Sequence, residues 1–342
     1  MTDPAVGAAF TAGDDSDGTS TAAATSVYFD ASSSLALSGE ELGAMSIADG
    51  LSGDGVGAPP PQPPLPPALP RWHTCYELRT DGDFDGAARV IAEATTEGEP
   101  VGSSAPWLWV RSRLESDLAD EMGDVAAAKR ALPLADMAVG ADGKLPEAHL
   151  AVAIAAGRVQ EVPGTGIRTR VEMARRIREH LDICLRLCAE RYGDPPEGDE
   201  FHTTYTALMV LGKWHYGLAS LPGVHKFVVR AVFGKMPHYS YEEAARAHRK
   251  QLEMLPHNPL PRMELGRVLI DMGDKDGAAD QLNEFLCQAP HDRYCGPRLR
   301  LQEEAAGMLK ATGRAAKGAA QVTKRVTHGA ASTVWHHGGS KK

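Results

Sequence analysis

The residues that could catalyse a reaction or bind a metal are scattered through this chain of 342 residues. Cys184 and Cys188 would share one helix face, but no further Cys or His pair supplies the other ligands at a usual zinc-site spacing. Gly164-Thr165-Gly166 lacks the third glycine and the preceding strand of a dinucleotide loop, and phosphate-loop, zinc-protease and serine-hydrolase motifs are absent. We therefore expect no enzyme, cofactor or metal site, and reduced thiols.

Two sets of three residues could instead form a binding wall. Within each set the steps are four and then three residues, which places the members on one face of a helix. The six residues are Met209, Lys213, Tyr216, Met263, Arg267 and Ile270. Their two cations would suit a peptide carboxylate, an acidic tubulin tail or a lipid phosphate, whereas the alternative is a solvated helix face. We interpret Trp107, Trp109 and Trp214 as packing between helices rather than as a binding platform.

These positions belong to a pattern that repeats every 34 residues. Ala244 recurs as Ala278 and Pro256 recurs as Pro290, and 34 residues is the period of the tetratricopeptide repeat (TPR). A turn signature, Gly-Asp-x-x-x-Ala, begins at Gly82, Gly123 and Gly273. No long run alternates apolar and polar residues, so we expect no sheet. The pattern predicts an all-α, tetratricopeptide-like solenoid of antiparallel helix hairpins.

Helical periodicity and chain breakers divide this solenoid into hairpins. The first three are predicted at Trp72 to Ala94, Pro106 to Val139 and Pro146 to Arg191. A fourth begins near Leu208 and resumes at Tyr241 after about 20 extra residues, Leu218 to Ser240. Such an insertion predicts an extra helix at the solenoid edge or part of a ligand pocket.

Composition separates the solenoid from two tails of opposite charge. Residues 1–70 contain nine acidic residues, no Lys or Arg, and a proline run at their end, so we expect a disordered tail. Residues 71–304 form the predicted repeat domain. Residues 305–342 contain seven Lys or Arg and no acid, including Lys317, Lys324 and Arg325. This basic tail could lie on an anionic membrane or on the acidic surface of a microtubule; the alternative is a frayed, solubilising end.

Several segments together resemble one family. They are Glu179-His180-Leu181-Asp182, Leu211-Gly212-Lys213-Trp214-His215-Tyr216, Ala231-Val232-Phe233-Gly234 and Tyr241-Glu242-Glu243-Ala244-Ala245. With the insertion in the fourth hairpin, they resemble the regulator of microtubule dynamics family over roughly Trp107 to Pro290. The resemblance implies a cytoplasmic helical-repeat protein associated with microtubules and spindle poles. In membrane-anchored relatives it implies a tether between organelles whose repeat domain holds phospholipid. This sequence shows no apolar run long enough to be such an anchor.

A short segment of the acidic tail resembles the motif of two phenylalanines in an acidic tract (FFAT-like). Tyr28, Phe29, Asp30 and Ala31 would bind the major sperm protein domain of VAP proteins on the endoplasmic reticulum. The aromatic pair offers a rigid apolar anchor, and Asp30 offers the charge that anchored relatives obtain from a phosphothreonine. Val27 and Ser33 depart from the acidic residues usual at their positions. The alternative is a chance heptapeptide in a low-complexity tail.

We therefore predict a non-enzymatic helical-repeat adaptor between a cytoskeletal or organelle surface and the endoplasmic reticulum. We expect it in the cytoplasm, on microtubules and spindle poles and at membrane contact sites, with no nucleic-acid partner. One alternative is a protein that binds or transfers phospholipid in a groove closed by the insertion. A third is a co-chaperone that clamps a peptide carboxylate with Lys213 and Arg267.

Overall fold

The computed structural model describes residues 69–193, 201–223, 225–227, 238–256, 258–287 and 295–313. In these ranges all regular secondary structure is helical. The helices are α1 (Arg71–Thr80), α2 (Phe84–Thr96), α3 (Ala105–Met122), α4 (Val125–Ala141), α5 (Pro146–Glu161), α6 (Ile167–Tyr192), α7 (Phe201–Ser220), α8 (Tyr241–Met254), α9 (Pro259–Met272), α10 (Lys275–Cys287) and α11 (Cys295–Ala311). The predicted all-α fold is confirmed.

Three of the hairpins turn at the predicted Gly-Asp signature. The glycines have positive φ angles of 80°, 65° and 85°, a conformation that costs glycine little; they are Gly82, Gly123 and Gly273. The aspartate that follows then accepts hydrogen bonds from backbone N–H groups of the next helix. At the first turn, Asp83 accepts from Gly86 N at 2.8 Å. The same two residues thus end one helix and begin the next.

The hairpins pack side by side as a linear array. The hairpin partners are α1 with α2, α3 with α4, α5 with α6, α7 with α8 and α9 with α10. Each first helix also contacts the first helix of the next hairpin, and α11 packs on α10. Ala244 and Ala278, the pair that revealed the repeat, are both completely buried. The described solenoid therefore begins at α1 and ends at α11.

The last helix crosses the domain boundary that we predicted after residue 304. Ala305 is completely buried and Leu309 is 1% exposed. Both belong to one core cluster with Met263 and Phe285 of the last hairpin. Helix α11 therefore covers the end of the solenoid, and its two core residues are part of the repeat domain rather than of the basic tail.

Candidate functional site

In four of the hairpins, mostly charged residues stand three and six positions before the glycine of the turn. We call the face of the first helices that carries these positions the inner face. Six residues before Gly82, Gly123, Gly164 and Gly273 stand, in order, Tyr76, Asp117, Arg158 and Arg267. Three residues before the same glycines stand Arg79, Asp120, Glu161 and Ile270. Because residues three apart on a helix share a face, this spacing brings charged side chains of successive first helices together.

Ion pairs join the first three of these helices. Arg79 on α1 pairs with Asp117 on α3, and both side chains are nearly completely buried. Arg158 on α5 donates to both carboxylate oxygens of Asp120 on α3, at 2.7 and 2.8 Å. Burial raises the pKa of Glu161 to about 7, although its contact with Arg158 acts in the opposite direction. Buried pairs of this kind are costly to break, since one charge would remain without its partner.

A second group of pairs joins α7, α9 and α11 through Glu264. Its carboxylate contacts Lys213 Nζ at 3.3 Å and Arg267 Nη1 at 2.6 Å. The other end of the Arg267 guanidinium donates to Glu304 Oε1 at 2.6 Å. Burial alone would raise the pKa of Glu264, but Arg267 and Lys213 outweigh it and lower this pKa to about 2. Glu264 is therefore ionised and links the fourth hairpin to the fifth.

These contacts correct the expected open binding wall. Met209 and Met263 are each 1% exposed and lie in two core clusters. Lys213 is 3% exposed and is held by Glu264, as is Arg267. The physical reason is that α7 and α9 contact one another directly, so these positions lie between helices. The two cations proposed for a peptide clamp are thus already paired.

The other two members of that set lie at the edge of the same interface. The ring of Tyr216 contacts that of Tyr241, with centroids 5.9 Å apart, and burial together with Asp271 raises the pKa of Tyr216. Ile270 is half-buried against the cores of the last hairpin. Neither residue forms an open ligand surface together with its predicted neighbours.

The three tryptophans and the two neighbouring cysteines singled out in the sequence are buried within the helical packing. Packing of Trp107, Trp109 and Trp214 between helices is confirmed, since none is more than 8% exposed. Trp214 Nε1 also donates to Ala174 O at 2.7 Å. Cys184 and Cys188 are free and buried. Within the described ranges no three His, Cys, Asp or Glu side chains are grouped so as to hold a metal ion.

One buried cation of the inner face makes no close contact with a carboxylate among the described residues, although Asp117 lies near enough to attract its charge. Arg113 on α3 is 4% exposed and forms neither a hydrogen bond nor an ion pair there. Burial and the nearby charge of Arg79 lower the pKa of Arg113 to about 10, so it remains a cation at neutral pH. It lines a cleft whose other walls are Tyr76, Arg79, Trp109, Glu147, Leu150, Thr203 and Thr206.

Some predicted features lie outside the described residues. They include the VAP-binding-like motif Tyr28, Phe29, Asp30 and Ala31, and the basic-tail residues Lys317, Lys324 and Arg325. The middle of the insertion, residues 228–237, also lies outside, so the phospholipid groove stays a prediction. Among the described helices, none has the length and apolar content needed to cross a bilayer.

A family model identifies the family to which this chain is related. The model of the family described as regulator of microtubule dynamics protein 1-3 matches residues 77–313, more than half of this chain. The chain belongs to that family. The match confirms the resemblance seen in the sequence and extends it from α1 to the end of α11. The family and the helical-repeat fold support a helical-repeat regulator of microtubule dynamics.

Comparisons with curated proteins and with solved structures add nothing to this assignment. No curated protein matches this member of the family. A solved structure described as a thermophilic TPR protein in Thermus thermophilus is similar at 17% sequence identity. That similarity covers 70% of this chain and 97% of the other, with a TM-score of 0.45.

Sequence reasoning missed most of the charged interior of this regulator of microtubule dynamics protein. The missed residues are Arg79, Arg113, Asp117, Asp120, Arg158, Glu161, Glu264 and Glu304. A signal was present, since charged residues stand three and six positions before several hairpin glycines. Nothing comparable in the sequence marks Arg113 as unpaired, because four different helices build its surroundings.

Proposed function

We propose that this chain is a non-enzymatic adaptor that associates with microtubules and joins them to the endoplasmic reticulum. The observation that carries the proposal is the family match over residues 77–313, because that family is named for the regulation of microtubule dynamics. Both the family and the helical-repeat fold are typically non-catalytic. The proposed contacts lie in the two tails, which flank the repeat domain in the sequence.

The linear order of the hairpins supports this division of labour. The acidic tail precedes α1, which begins the array, and the basic tail follows α11, which ends it. The six Lys or Arg of residues 312–342, without any acid, complement the acidic surface of a microtubule. Screening by salt should weaken a contact of this kind. Lys317, Lys324 and Arg325 are the residues proposed to make it.

Co-sedimentation of the full chain with stabilised microtubules tests the microtubule contact. We expect Lys317→Glu, Lys324→Glu and Arg325→Glu together to abolish pelleting, and added salt to weaken it. The matched control reverses three exposed charges of the solenoid, Arg89→Glu, Lys129→Glu and Lys275→Glu. The control should pellet nearly as well as the wild type. If both variants lost pelleting equally, the net charge of the protein rather than the tail residues would explain the effect. Failure of the wild type to pellet would contradict the proposal.

The second half of the proposal is a VAP contact through the acidic tail. Tyr28 and Phe29 form the apolar anchor, and Asp30 supplies a permanent negative charge. About 37 residues separate Ser33 from Arg71, part of them polyproline that extends by about 3.1 Å per residue. A tether of this kind can cross a gap of several nanometres between two surfaces.

Binding of the full chain to a purified VAP major sperm protein domain tests this contact. Phe29→Ala should remove binding, whereas Phe10→Ala makes the same change in the same tail outside the motif. The Phe10 variant should therefore bind like the wild type. Circular dichroism of both variants checks that the helical repeats remain folded. Unchanged affinity of the Phe29 variant would end the tether hypothesis.

A further inference from the structure

The charges in and beside the Arg113 cleft balance one another. Arg79, which lines the cleft, forms a buried ion pair with Asp117. The other two charges are the Arg113 guanidinium of α3 and the Glu147 carboxylate of α5. Asp117 also attracts Arg113, so the cleft has no net charge to offer to an ion. The arginines would repel a cation and the carboxylates would repel an anion, which leaves a neutral polar ligand.

The Arg113 cleft has room for one water molecule. Its volume, taken as the space open to the centre of a water molecule, is about 20 Å³. A site for a single buried water needs about 10–15 Å³ by this measure. Phosphate and carboxylate groups are larger than water, so the cleft excludes them.

Polar atoms of three lining residues are buried and form no hydrogen bond within the fold. They are Arg113 Nε, Glu147 Oε2 and Thr206 Oγ1. Buried polar groups in folded proteins are nearly always satisfied, either by protein or by ordered water. A buried water makes about three hydrogen bonds, and these atoms offer it a donor, an acceptor and a hydroxyl that can act as either. The number and the chemistry of the atoms thus match one water.

We propose that one structural water occupies the Arg113 cleft and bridges Arg113 of α3 to Glu147 of α5 and Thr206 of α7. The Arg113 Nε–H donates to the water oxygen, and the water donates one hydrogen to Glu147 Oε2 and the other to Thr206 Oγ1. The guanidinium and the carboxylate thus form an ion pair through water, without direct contact. The bridge goes beyond the proposed function, whose contacts lie in the tails.

The bridge completes a network centred on Glu147. Glu147 Oε1 accepts hydrogen bonds from Tyr192 of α6 and Thr203 of α7, at 2.9 and 3.0 Å. The water adds α3 through the other carboxylate oxygen, so one side chain of the third hairpin joins the second hairpin to the fourth. The insertion follows α7 in the fourth hairpin. The bridge therefore helps to hold the interrupted hairpin on the regular part of the solenoid.

Nuclear magnetic resonance of the full chain with isotope-labelled arginine tests the site. We expect a nuclear Overhauser contact between the Arg113 Nε–H and a water that stays bound while the protein tumbles. Arg113→Lys removes this Nε–H and so assigns the signal. The Nε–H of Arg89, whose side chain is exposed, is the internal control and should show only rapidly exchanging solvent. Absence of a bound water at the Arg113 Nε–H would overturn the proposal.

Removal of the Thr206 hydroxyl tests its part in the bridge. Thr206→Val keeps the size of the side chain but removes one partner of the water, so the water contact should weaken and the melting temperature should fall. Thr169→Val makes the same change at an exposed position of α6 and should alter neither. If Thr206→Val behaved like Thr169→Val, the bridge to α7 would be refuted.

A double-mutant cycle tests whether the water couples the two charges. Arg113→Met or Glu147→Gln alone leaves the other charge without its counterpart, so the melting temperature should fall in each case. The double variant removes both charges, and its fall should be smaller than the sum of the two single falls. Circular dichroism checks that each variant is folded. Falls that simply add would show that the two charges act independently and would overturn the bridge.

Discussion

The regular hairpin α9–α10 and the interrupted hairpin α7–α8 solve one packing problem with different chemistry. In both, a glycine of the first helix lies against one side chain of the second. A Cβ atom on Gly266 would lie 2.8 Å from Leu282 Cγ, and a Cβ on Gly212 would lie 2.5 Å from the His248 ring. The close approach of the two backbones has therefore survived the insertion of about 20 residues. The side chain that fills the approach has changed from apolar to polar.

A buried histidine at this contact needs hydrogen-bond partners of its own. His248 is completely buried, and its Nδ1 lies 3.0 Å from Gln251 Oε1. Gln251 Nε2 in turn donates to Tyr205 O at 3.0 Å. Leu282 needs no such partners. The repeat thus fixes the spacing of the two helices, whereas the side chains that pack inside each hairpin can be apolar or polar.

The largest expected effect comes from the carboxylate that links these two hairpins. Glu264→Gln would leave Lys213 and Arg267 without their shared negative charge, and we expect a loss of about 3–5 kcal/mol in the free energy of unfolding. Glu304→Gln removes a partner that is 43% exposed, and its loss should stay below about 1 kcal/mol. Urea titration at constant pH measures both. Similar losses for the two variants would show that the buried Glu264 carboxylate contributes no more stability than the exposed Glu304 carboxylate.

A smaller effect is expected from the two glycines. Gly212→Ala should destabilise the protein by about 1–3 kcal/mol, because the hydrogen-bonded His248 ring must move. Gly266→Ala meets the flexible Leu282 side chain and gains helix propensity, so its loss should be smaller. Adding Leu282→Ala to Gly266→Ala relieves the contact in a double-mutant cycle. If Gly266→Ala proved the more damaging change, our comparison of the two hairpins would fail.

Acid should loosen the interrupted hairpin before the regular one. Burial is the largest cause that lowers the pKa of both His248 and His215, the latter to about 4, so both stay neutral in the folded state. Unfolded histidine takes up a proton near pH 6.5. The stability contributed by the neutral rings is therefore complete above that pH and is lost as the pH falls through the folded pKa values. Each ring gives a slope of at most about 1.4 kcal/mol per pH unit.

Hydrogen exchange can locate this effect. Between pH 6.5 and 4, amides of α7–α8 should lose protection faster than those of α9–α10, which contains no histidine. His248→Leu should reduce the difference. Identical pH dependence in the two hairpins would contradict the account.

The smallest expected difference concerns the residues that begin the second helices. Ser240 Oγ accepts from Glu243 N at 3.2 Å at the start of α8, and Asp274 Oδ1 accepts from Gly277 N at 2.9 Å at the start of α10. Ser240→Ala and Asp274→Ala should each cost about 1 kcal/mol in the free energy of unfolding. Thermal denaturation should show the larger shift for Asp274, whose charge also faces the helix N-terminus. A larger shift for Ser240 would argue against cap geometry as the cause.

Local chemistry explains why so much of the fold could be predicted from the sequence. The turn at Gly273 and Asp274 needs only a residue that tolerates positive φ and a side chain that caps a helix, and both are visible over a few positions. The small side chains of Ala244 and Ala278 likewise indicated where two helices pack closely, and both are completely buried. The boundary after residue 304 failed because burial of Leu309 depends on contacts with the previous hairpin.

The inner face was less predictable because its contacts join residues far apart in the sequence. Lys213 and Arg267 have the expected spacing, but whether they face solvent depends on Glu264 and on the distance between α7 and α9. The Arg113 cleft needs four helices at once. Helical spacing therefore groups these side chains on one face of each helix, but only the structure shows which of them are already paired.

Recruitment of vesicles to microtubules tests the adaptor function most directly. Vesicles coated with a VAP major sperm protein domain would be added to surface-bound microtubules with the full chain, and counted by fluorescence microscopy. We expect recruitment that is lost with Phe29→Ala and equally lost when Lys317, Lys324 and Arg325 are all changed to Glu. Absence of recruitment by the wild type, or recruitment that ignores either variant, would contradict the adaptor function.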